Sequence, residues 1–212
     1  PPKPTLANIL NLMTKPRWGL GMLGTPRRGF GNIVGHVKGV ENMGSLSEWT
    51  AKQFDPGLSW GDVEWIKKRW GGRLILKGIQ DVEDAKLAAD SGADALIVSN
   101  HGGRQLDGAE SSIRALPAIA DAVGSRIEVH MDGGIRSGQD VLKAWALGAR
   151  GTYIGRAMVW GLGAMGEAGV TKALEIIHKE LDLTMAFCGR TRLADVDRSI
   201  LLTPDTPWGA GA

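Results

Sequence analysis

The strongest constraint on this chain is a unit that occurs four times in succession between residues 58 and 187. Each copy contains a short apolar run, a polar loop and a segment whose apolar residues have helical spacing. The apolar runs are RLILKG, ADALIV, RIEVHM and RGTYIG. Because a parallel strand pair needs a crossover helix to return the chain, this alternation predicts four parallel β/α units. A complete (β/α)8 barrel takes roughly 250 residues, so the pattern fits half a barrel or a small open α/β sheet.

Capping residues mark the ends of several of these helices. Asp81 is a candidate N-cap, and Ser137 with Asp140 has the spacing of a capping box. The segment 58–72 is predicted to be a helix that ends at a glycine, and residues 167–187 are predicted to form one long helix. One face of that long helix should be formed by Val170, Leu174, Ile177, Leu181 and Met185.

Polar residues follow all four apolar runs, at the position where parallel α/β folds bind their ligands. They are Lys77–Gly78, Ser99–Arg104, Asp132–Arg136 and Gly155–Arg156. Because the carboxyl ends of parallel strands meet at one edge of a sheet, we expect these residues to form a single site.

The third and fourth loops have the composition of a phosphate site. Gly133 and Gly134 let backbone N–H groups approach an anion, and Arg136 and Arg156 supply forked donors. The helix that begins near Ser137 would add the positive end of its dipole. A DGG triplet also fits a plain turn, whereas the GR pair one unit later favours a phosphate.

Three further residues point to chemistry beside that phosphate site. An ammonium group at Lys77, at the end of an apolar strand, needs a negative partner: a carboxylate, a phosphate or an electron-rich cofactor ring. His101 and Arg104 share one loop, where a neutral imidazole could take a proton while the guanidinium binds a substrate carboxylate. A plain surface histidine is the alternative for His101. His130, inside the third strand, is expected to pack or to point outward.

The charge distribution separates the first 40 residues from the rest. Residues 1–40 carry six basic and no acidic side chains, whereas residues 41–212 carry 19 basic and 23 acidic ones. We predict an irregular basic segment over 1–52, with one short helical stripe after Thr5, followed by the barrel over 53–212. Such a basic segment fits a membrane surface, a protein partner or a solvated loop.

Other features bear on compartment and partners. Cys188 is the only cysteine, which indicates a reducing, cytoplasmic compartment, and no apolar run approaches the roughly 18 residues of a membrane span. No metal is expected, because no grouping of His, Cys, Asp and Glu has metal-ligand spacing. The sequence lacks a concentrated basic groove, a G-x-G-x-x-G strand–helix motif and a P-loop, which argues against nucleic acid, NAD and NTP binding.

Four stretches carry a family resemblance: LILKGI, ADALIVSNHGGRQLDG, MDGGIRSGQDVLKAWALGA and YIGRAMVWGLGAMGEAGV. They resemble the FMN-dependent α-hydroxy acid dehydrogenases and oxidases. FGNIVGH together with FDPGLSWGDVEWIKKRWGG is similar to the bacterial branch of that family that oxidises L-lactate. The resemblance implies a (β/α)8 TIM barrel, with this chain as its C-terminal half containing strands five to eight.

The resemblance also implies an FMN at the mouth of the barrel. Lys77 would lie beside the N1/C2-carbonyl edge of the flavin, and Ser99 would contact the flavin as well. His101 would be the catalytic base, and Arg104 would bind the substrate carboxylate. The ribityl chain and phosphate would be held by Asp132, Gly133, Gly134, Arg136, Gly155 and Arg156. The implied reaction is oxidation of a small L-2-hydroxy acid, such as L-lactate, to the 2-keto acid.

Members of the family have a further half-barrel upstream, which supplies active-site tyrosines and the aspartate that orients the histidine. Tyr153, the only tyrosine here, matches none of those positions. The resemblance therefore implies an N-terminal half-barrel as partner, a tetrameric homo-oligomer and contact of residues 1–40 with the inner face of the cell membrane. Two alternatives stay open: a non-catalytic half-barrel that binds anions or docks with a partner chain, and an enzyme of another phosphate-binding barrel family.

Overall fold

The computed structural model describes residues 5–25, 30–33, 36–40, 43–53 and 55–202. The chain divides into two compact units, Pro1–Leu58 and Ser59–Ala212. Of the basic side chains predicted to characterise the first segment, Lys3, Arg27 and Arg28 lie outside the described residues.

The described residues of the first unit form three helices: α1 (Leu6–Met13), α2 (Pro16–Gly24) and α3 (Met43–Lys52). Thr5 caps α1, as expected, because its hydroxyl accepts a hydrogen bond from the Asn8 backbone N–H at 3.2 Å. The expectation of an otherwise irregular segment missed α2 and α3. The glycines of PRWGLGMLG lower helix propensity, but a proline in the first turn of a helix costs no hydrogen bond.

Large apolar side chains of α1 and α2 are exposed within this unit. The most exposed are Leu6, Leu10, Met13, Trp18, Leu20 and Leu23. Among the helices that the structure describes, none has both the length and the apolar composition needed to cross a membrane.

The second unit alternates parallel strands and helices, as the repeated unit predicts. Its elements are α4 (Trp60–Trp70), β1 (Ile75–Ile79), α5 (Val82–Asp90), β2 (Ala95–Val98), α6 (Ser112–Val123), β3 (Glu128–Asp132), α7 (Gly138–Ala146), β4 (Gly151–Tyr153), α8 (Arg156–Met165) and α9 (Glu167–Phe187). The strands form one parallel sheet in the order β1-β2-β3-β4. This arrangement matches part of a (β/α)8 barrel, which confirms the predicted fold class.

The predicted helix ends agree with the structure. The Asp81 carboxylate accepts a hydrogen bond from the backbone N–H of Glu83 at 2.8 Å and so caps α5. Ser137 and Asp140 form the complete capping box of α7, and Gly71 ends α4 in the left-handed conformation. Local capping chemistry therefore sets where these helices begin and end.

The core of the second unit lies between one face of the sheet and the helices that cover it, and we call this side of the sheet the outer face. Side chains alternate along a strand, so every second residue points to the helices. Those on β2 and β3 are Leu96, Val98, Val129 and Met131, each 2% exposed or less. They pack with Leu116, Ile119 and Val123 of α6, whose helical spacing the sequence shows.

The long helix α9 has the predicted bounds, but the prediction of its apolar face is wrong for one residue, Leu174. Leu181 and Met185 pack with Leu142 of α7, whereas Leu174 is 52% exposed. The closest approach of α9 to α7 is at Gly138, where a Cβ atom would overlap the α9 backbone at Leu181. This contact holds the half of α9 that follows Leu174 against α7, and the half that precedes Leu174 packs on α8 where Gly161 meets Gly169.

Candidate active site

A cavity of about 600 Å³ opens at the carboxyl ends of the strands. It is lined by Lys77, His101, Gly102, Arg104, Gln105, Asp132, Gly133, Gly134, Ile135, Arg136, Tyr153, Ile154, Gly155 and Arg156. The structure thus brings together every site residue predicted from the sequence except Ser99. Ser99 is buried, at 1% exposure, and reaches the cavity through its contact with Lys77.

Lys77 belongs to the interior of β1, not to its last position, because the strand continues to Ile79. The register with β2 shifts between Lys77 and Ile79, so the strand is irregular at this point. The Lys77 ammonium lies 2.9 Å from Oδ2 of Asp132 and donates a hydrogen bond to Oγ of Ser99 at 3.0 Å. The negative partner expected for Lys77 is therefore a carboxylate of the same site.

The second carboxylate oxygen of Asp132, Oδ1, is buried and has no hydrogen-bond partner among the described residues. A buried acceptor without a donor costs free energy. Because Asp132 lines the cavity, a ligand hydroxyl could supply that donor. The hydroxyl groups of a ribityl chain have this chemistry, so the residue fits an FMN.

The loop after β2 positions His101. The Ser99 hydroxyl accepts a hydrogen bond from the His101 backbone N–H at 3.1 Å, and Oδ1 of Asn100 accepts one from Gly102 at 3.0 Å. His101 has a backbone φ of +56°, a left-handed conformation that is uncommon for a residue other than glycine. Such strain at a cavity is typical of functional sites.

The absence of a side chain at Gly78 leaves room for the His101 ring. A Cβ atom at Gly78 would come within 2.7 Å of the imidazole Cε1. The φ of Gly78 is +101°, which also favours glycine. The glycine after Lys77, predicted only as part of a strand-end loop, therefore makes room for the histidine.

The phosphate end of the cavity differs from the prediction in one respect, which concerns α7. The backbone N–H groups of Arg136 and Ser137 both donate to Oδ2 of Asp140, and that of Gly138 donates to Oε2 of Glu180. Asp140 donates its own N–H to Oγ of Ser137. In the first turn of α7, the N–H groups of Gly138 and Asp140 thus have protein acceptors, so this helix offers fewer free donors to an anion than the sequence suggests.

The open helix N-terminus belongs to α8 instead. Gly155 is its N-cap and provides no side-chain hydrogen bond, while Arg156 is its first residue. A helix N-terminus with unused N–H groups binds anions. Gly133 and Gly134 line the same cavity, with φ of +91° and +82°. Because they have no side chains, their backbone N–H groups can approach a ligand closely.

Three lining residues, Gln105, Tyr153 and Ile154, were missed by the sequence analysis. Tyr153 is the last residue of β4 and pairs with Asp132 across the ladder. Because paired residues of neighbouring strands point to the same face, the register places Tyr153 beside the site. The signal was therefore present in the alternation of β4, although three residues are too few to reveal it. In the part of the chain that the structure describes, no three His, Cys, Asp or Glu side chains form a group that could bind a metal ion.

A parallel β/α sheet with a basic, glycine-rich cavity at its carboxyl ends defines a partial (β/α)8 barrel with a site for a phosphate-bearing cofactor. Within that class, the chain belongs to the FMN-dependent dehydrogenase family, whose sequence profile matches residues 1–203. FMN is the cofactor of this family, as the resemblance implies.

Individual relatives agree with the family. The L-lactate dehydrogenase of Caulobacter vibrioides (strain NA1000 / CB15N) is 48% identical over 202 residues, covering 94% of this chain and 52% of the relative. That of Pseudomonas syringae pv. syringae (strain B728a) is 47% identical over 196 residues, covering 92% of this chain and 51% of the relative. The chain spans about half the length of the curated relatives it matches.

Solved structures show the same fold. The monotopic membrane protein (S)-mandelate dehydrogenase superposes with a TM-score of 0.87 at 32% identity, covering 94% of this chain and 52% of that one. A mandelate oxidase with (S)-4-hydroxymandelic acid superposes with a TM-score of 0.69 at 44% identity, covering 73% of this chain and 43% of that one.

Proposed function

We propose that this protein oxidises a small L-2-hydroxy acid, with L-lactate as the substrate, to the 2-keto acid with FMN as the electron acceptor. The observation that carries the proposal is the single cavity lined by Lys77, His101, Arg104 and Asp132, with the open N-terminus of α8 on the same cavity. A general base, a carboxylate-binding cation and a phosphate site are the groups that this reaction requires.

The residues divide into two functional sets in this proposal. Arg136, Arg156 and the Gly155 end of α8 bind the cofactor phosphate, and Oδ1 of Asp132 accepts a hydrogen bond from the ribityl chain. Lys77, which lines the cavity, would stabilise the negative charge of a reduced flavin. Ser99 holds the Lys77 ammonium at 3.0 Å, so it acts on the flavin through Lys77. When bound, FMN supplies a two-electron acceptor.

The substrate side is supplied by one loop. Arg104 binds the substrate carboxylate through its forked donors, and His101 accepts one proton. Oxidation of the hydroxy acid removes two electrons and two protons. The proton that His101 takes is either that of the α-carbon or that of the hydroxyl group, and both routes use the same imidazole position.

The first unit supports a location at the inner face of the cytoplasmic membrane. Residues 1–40 carry six basic side chains and no acidic ones, and the apolar side chains of α1 and α2 are exposed. A basic segment whose helices expose tryptophan and leucine side chains can bind an anionic bilayer surface. We expect the protein to sediment with vesicles containing anionic lipid, and less so with zwitterionic vesicles or at high salt. Sedimentation that is independent of lipid charge would contradict an electrostatic contact.

The length of the relatives suggests what completes the barrel. Because this chain corresponds to about half of each relative, a second set of four β/α units, the N-terminal half-barrel, closes the proposed enzyme, and copies of the enzyme form a homo-oligomer, proposed to be a tetramer. The same observation favours the second candidate, a half-barrel that binds anions or a partner without catalysis. The visible spectrum of the purified protein separates the two, since only the enzyme should carry one flavin per chain.

The chemical assignment is tested by His101→Gln in the flavin-loaded protein. Removing the general base should slow flavin reduction by L-lactate by roughly 10²- to 10⁴-fold, while FMN remains bound, because the substituted side chain does not contact the phosphate end. His178→Gln is the matched control, since His178 lies on the exposed side of α9. Reduction of His101→Gln at the rate of the unaltered protein would refute the assigned role of His101.

A further inference from the structure

A line of hydrogen bonds runs along the side of the sheet opposite the helices, which we call the inner face, and the reaction above does not use it. Nδ1 of His130 lies 2.9 Å from the Tyr153 hydroxyl, and Nε2 of His130 lies 3.1 Å from Oε2 of Glu128. The His130 side chain is only 13% exposed. Both ring nitrogens of this nearly buried histidine therefore have polar partners.

The register of the strands explains how this line is built. Glu128 begins β3, His130 is its middle residue, and Tyr153 ends β4, so the line leads from the amino end of the sheet to the cavity. His130 is paired with Gly151 of β4. A Cβ atom at Gly151 would lie 3.2 Å from three atoms of the His130 ring. The absent side chain at Gly151 thus leaves the space in which His130 reaches across to Tyr153.

The partners determine the hydrogen positions by their chemistry. An ionised Glu128 carboxylate only accepts hydrogen bonds, so in neutral His130 Nε2 carries the proton and Nδ1 accepts. The Tyr153 hydroxyl then donates to Nδ1 of His130. Its hydrogen is held in one direction, and its remaining oxygen lone pair is free to accept a hydrogen bond from a ligand.

Tyr153 lines the cavity two residues before Gly155 and three before Arg156. Its cross-strand partner Asp132 has the buried, unpartnered Oδ1 described above. Tyr153 and Asp132 thus place one phenol and one carboxylate acceptor group on adjacent strands in the lining of the cavity. Adjacent hydroxyl groups, as in a ribityl chain, match two such acceptors.

We propose that Tyr153 binds the ribityl chain of FMN as a hydrogen-bond acceptor, and that His130, held by Glu128, is a positioning residue that orients the Tyr153 hydroxyl. The inference rests on the proposed function, because it requires FMN in this cavity. It assigns a ligand-binding role to the tyrosine of the fourth strand and a supporting role to a histidine of the third.

A double-mutant cycle on FMN affinity tests this inference. Tyr153→Phe removes the acceptor, and the FMN dissociation constant, measured by quenching of flavin fluorescence, should rise roughly 2- to 12-fold. His130→Phe leaves the hydroxyl without its orienting partner and should weaken binding by a smaller factor. Because His130 acts only through Tyr153, the double variant should bind FMN as Tyr153→Phe does, within about twofold.

A conservative variant and a stability measurement separate positioning from folding. His130→Gln retains a polar side chain that can accept from Tyr153, so it should recover part of the affinity lost in His130→Phe. If His130→Phe does not fold, His130→Ala, which also lacks an acceptor for Tyr153, takes its place in the cycle. Thermal unfolding of each variant without FMN shows whether a change in affinity arises from loss of structure.

The outcomes distinguish the inference from the function on which it rests. FMN binding by the unaltered protein together with unchanged affinity of Tyr153→Phe would overturn the inference and leave the proposed function intact. Full additivity of the two losses would overturn the role of His130. Failure of the unaltered protein to bind FMN would overturn the proposed function and the inference together.

Discussion

The two faces of the four-stranded sheet contrast in composition and in what their side chains do. The outer face presents Leu96, Val98, Val129 and Met131 to the helices, and all four are almost completely buried. The inner face presents Lys77, Ser99, His130, Asp132 and Tyr153. Lys77 contacts Ser99 and Asp132, and His130 contacts Tyr153. Hydrophobic burial on one face stabilises the fold, and that stability supports a polar, partly unsatisfied arrangement on the other. Substitutions on the two faces should therefore affect different measurements.

The largest effect on stability is expected from Leu116→Ala, in the core against the outer face. Leu116 is fully buried, so its truncation should lower the free energy of unfolding by about 2–5 kcal/mol. Leu174→Ala is the matched control, because Leu174 is 52% exposed, and it should change stability by less than about 0.5 kcal/mol. Denaturant unfolding of both variants measures the difference, and equal losses would contradict the assignment of the core.

Substitutions at the phosphate end of the cavity should change the affinity for FMN and leave the free energy of unfolding unchanged. Arg156→Gln removes a charged donor at the start of α8, and the FMN dissociation constant should rise roughly 10- to 100-fold. Arg150→Gln is the control, since Arg150 lies over the Trp145 ring at 5.3 Å and does not line the cavity. Comparable loss of FMN affinity in both variants would indicate a general charge effect and not a phosphate site at α8.

The capping box of α7 tests which helix faces the anion. Because the first N–H groups of α7 already have protein acceptors, Ser137→Ala should reduce the free energy of unfolding by about 0.5–2 kcal/mol and leave FMN affinity unchanged. Ser137→Asp, which preserves a capping acceptor, should retain most of the stability. If Ser137→Ala lowered FMN affinity as much as Arg156→Gln does, the phosphate would bind at α7 and not at α8.

The smallest expected effect is a pH dependence at the amino end of the sheet. Hydrogen bonds from Lys67 and from the Leu74 backbone lower the pKa of Asp94 below its ordinary value of 3.8. A lowered pKa stabilises the folded state above the unfolded-state value, and this stability is lost as the pH falls through 3.8 and below. Asp94→Asn should abolish that part of the acid sensitivity in denaturant midpoints measured from pH 6 to pH 3. An unchanged pH profile in Asp94→Asn would contradict this account of the pair.

The sequence predicts the outer face well, because its information is local and periodic. The apolar alternation of β2 and β3, the helical spacing of Leu116, Ile119 and Val123, and the cap at Asp81 each follow from neighbouring residues. The strand-end positions of the site residues follow from the same pattern. Their approach to one cavity needed only the rule that parallel strands end at one edge.

The features that the sequence did not predict depend on contacts between distant residues. Whether the first turn of α7 is open depends on Glu180, which is 42 positions away from Gly138. Helix α8 was missed because two glycines interrupt its apolar residues and two more flank it. The contact of His130 with Tyr153 depends on the register between β3 and β4, which the sequence of either strand by itself does not determine. The division of the chain between residues 52 and 53, into a basic segment and the barrel, stays a prediction.

The central claim is that the cavity at the carboxyl ends of the strands holds an FMN that an L-2-hydroxy acid reduces. The most direct measurement is anaerobic mixing of the flavin-loaded protein with a panel of L-2-hydroxy acids, with D-lactate as the control, while the visible flavin absorbance is recorded. The account predicts that L-lactate bleaches the flavin and that D-lactate does not. A protein that carries FMN but shows no bleaching with any L-2-hydroxy acid would contradict it.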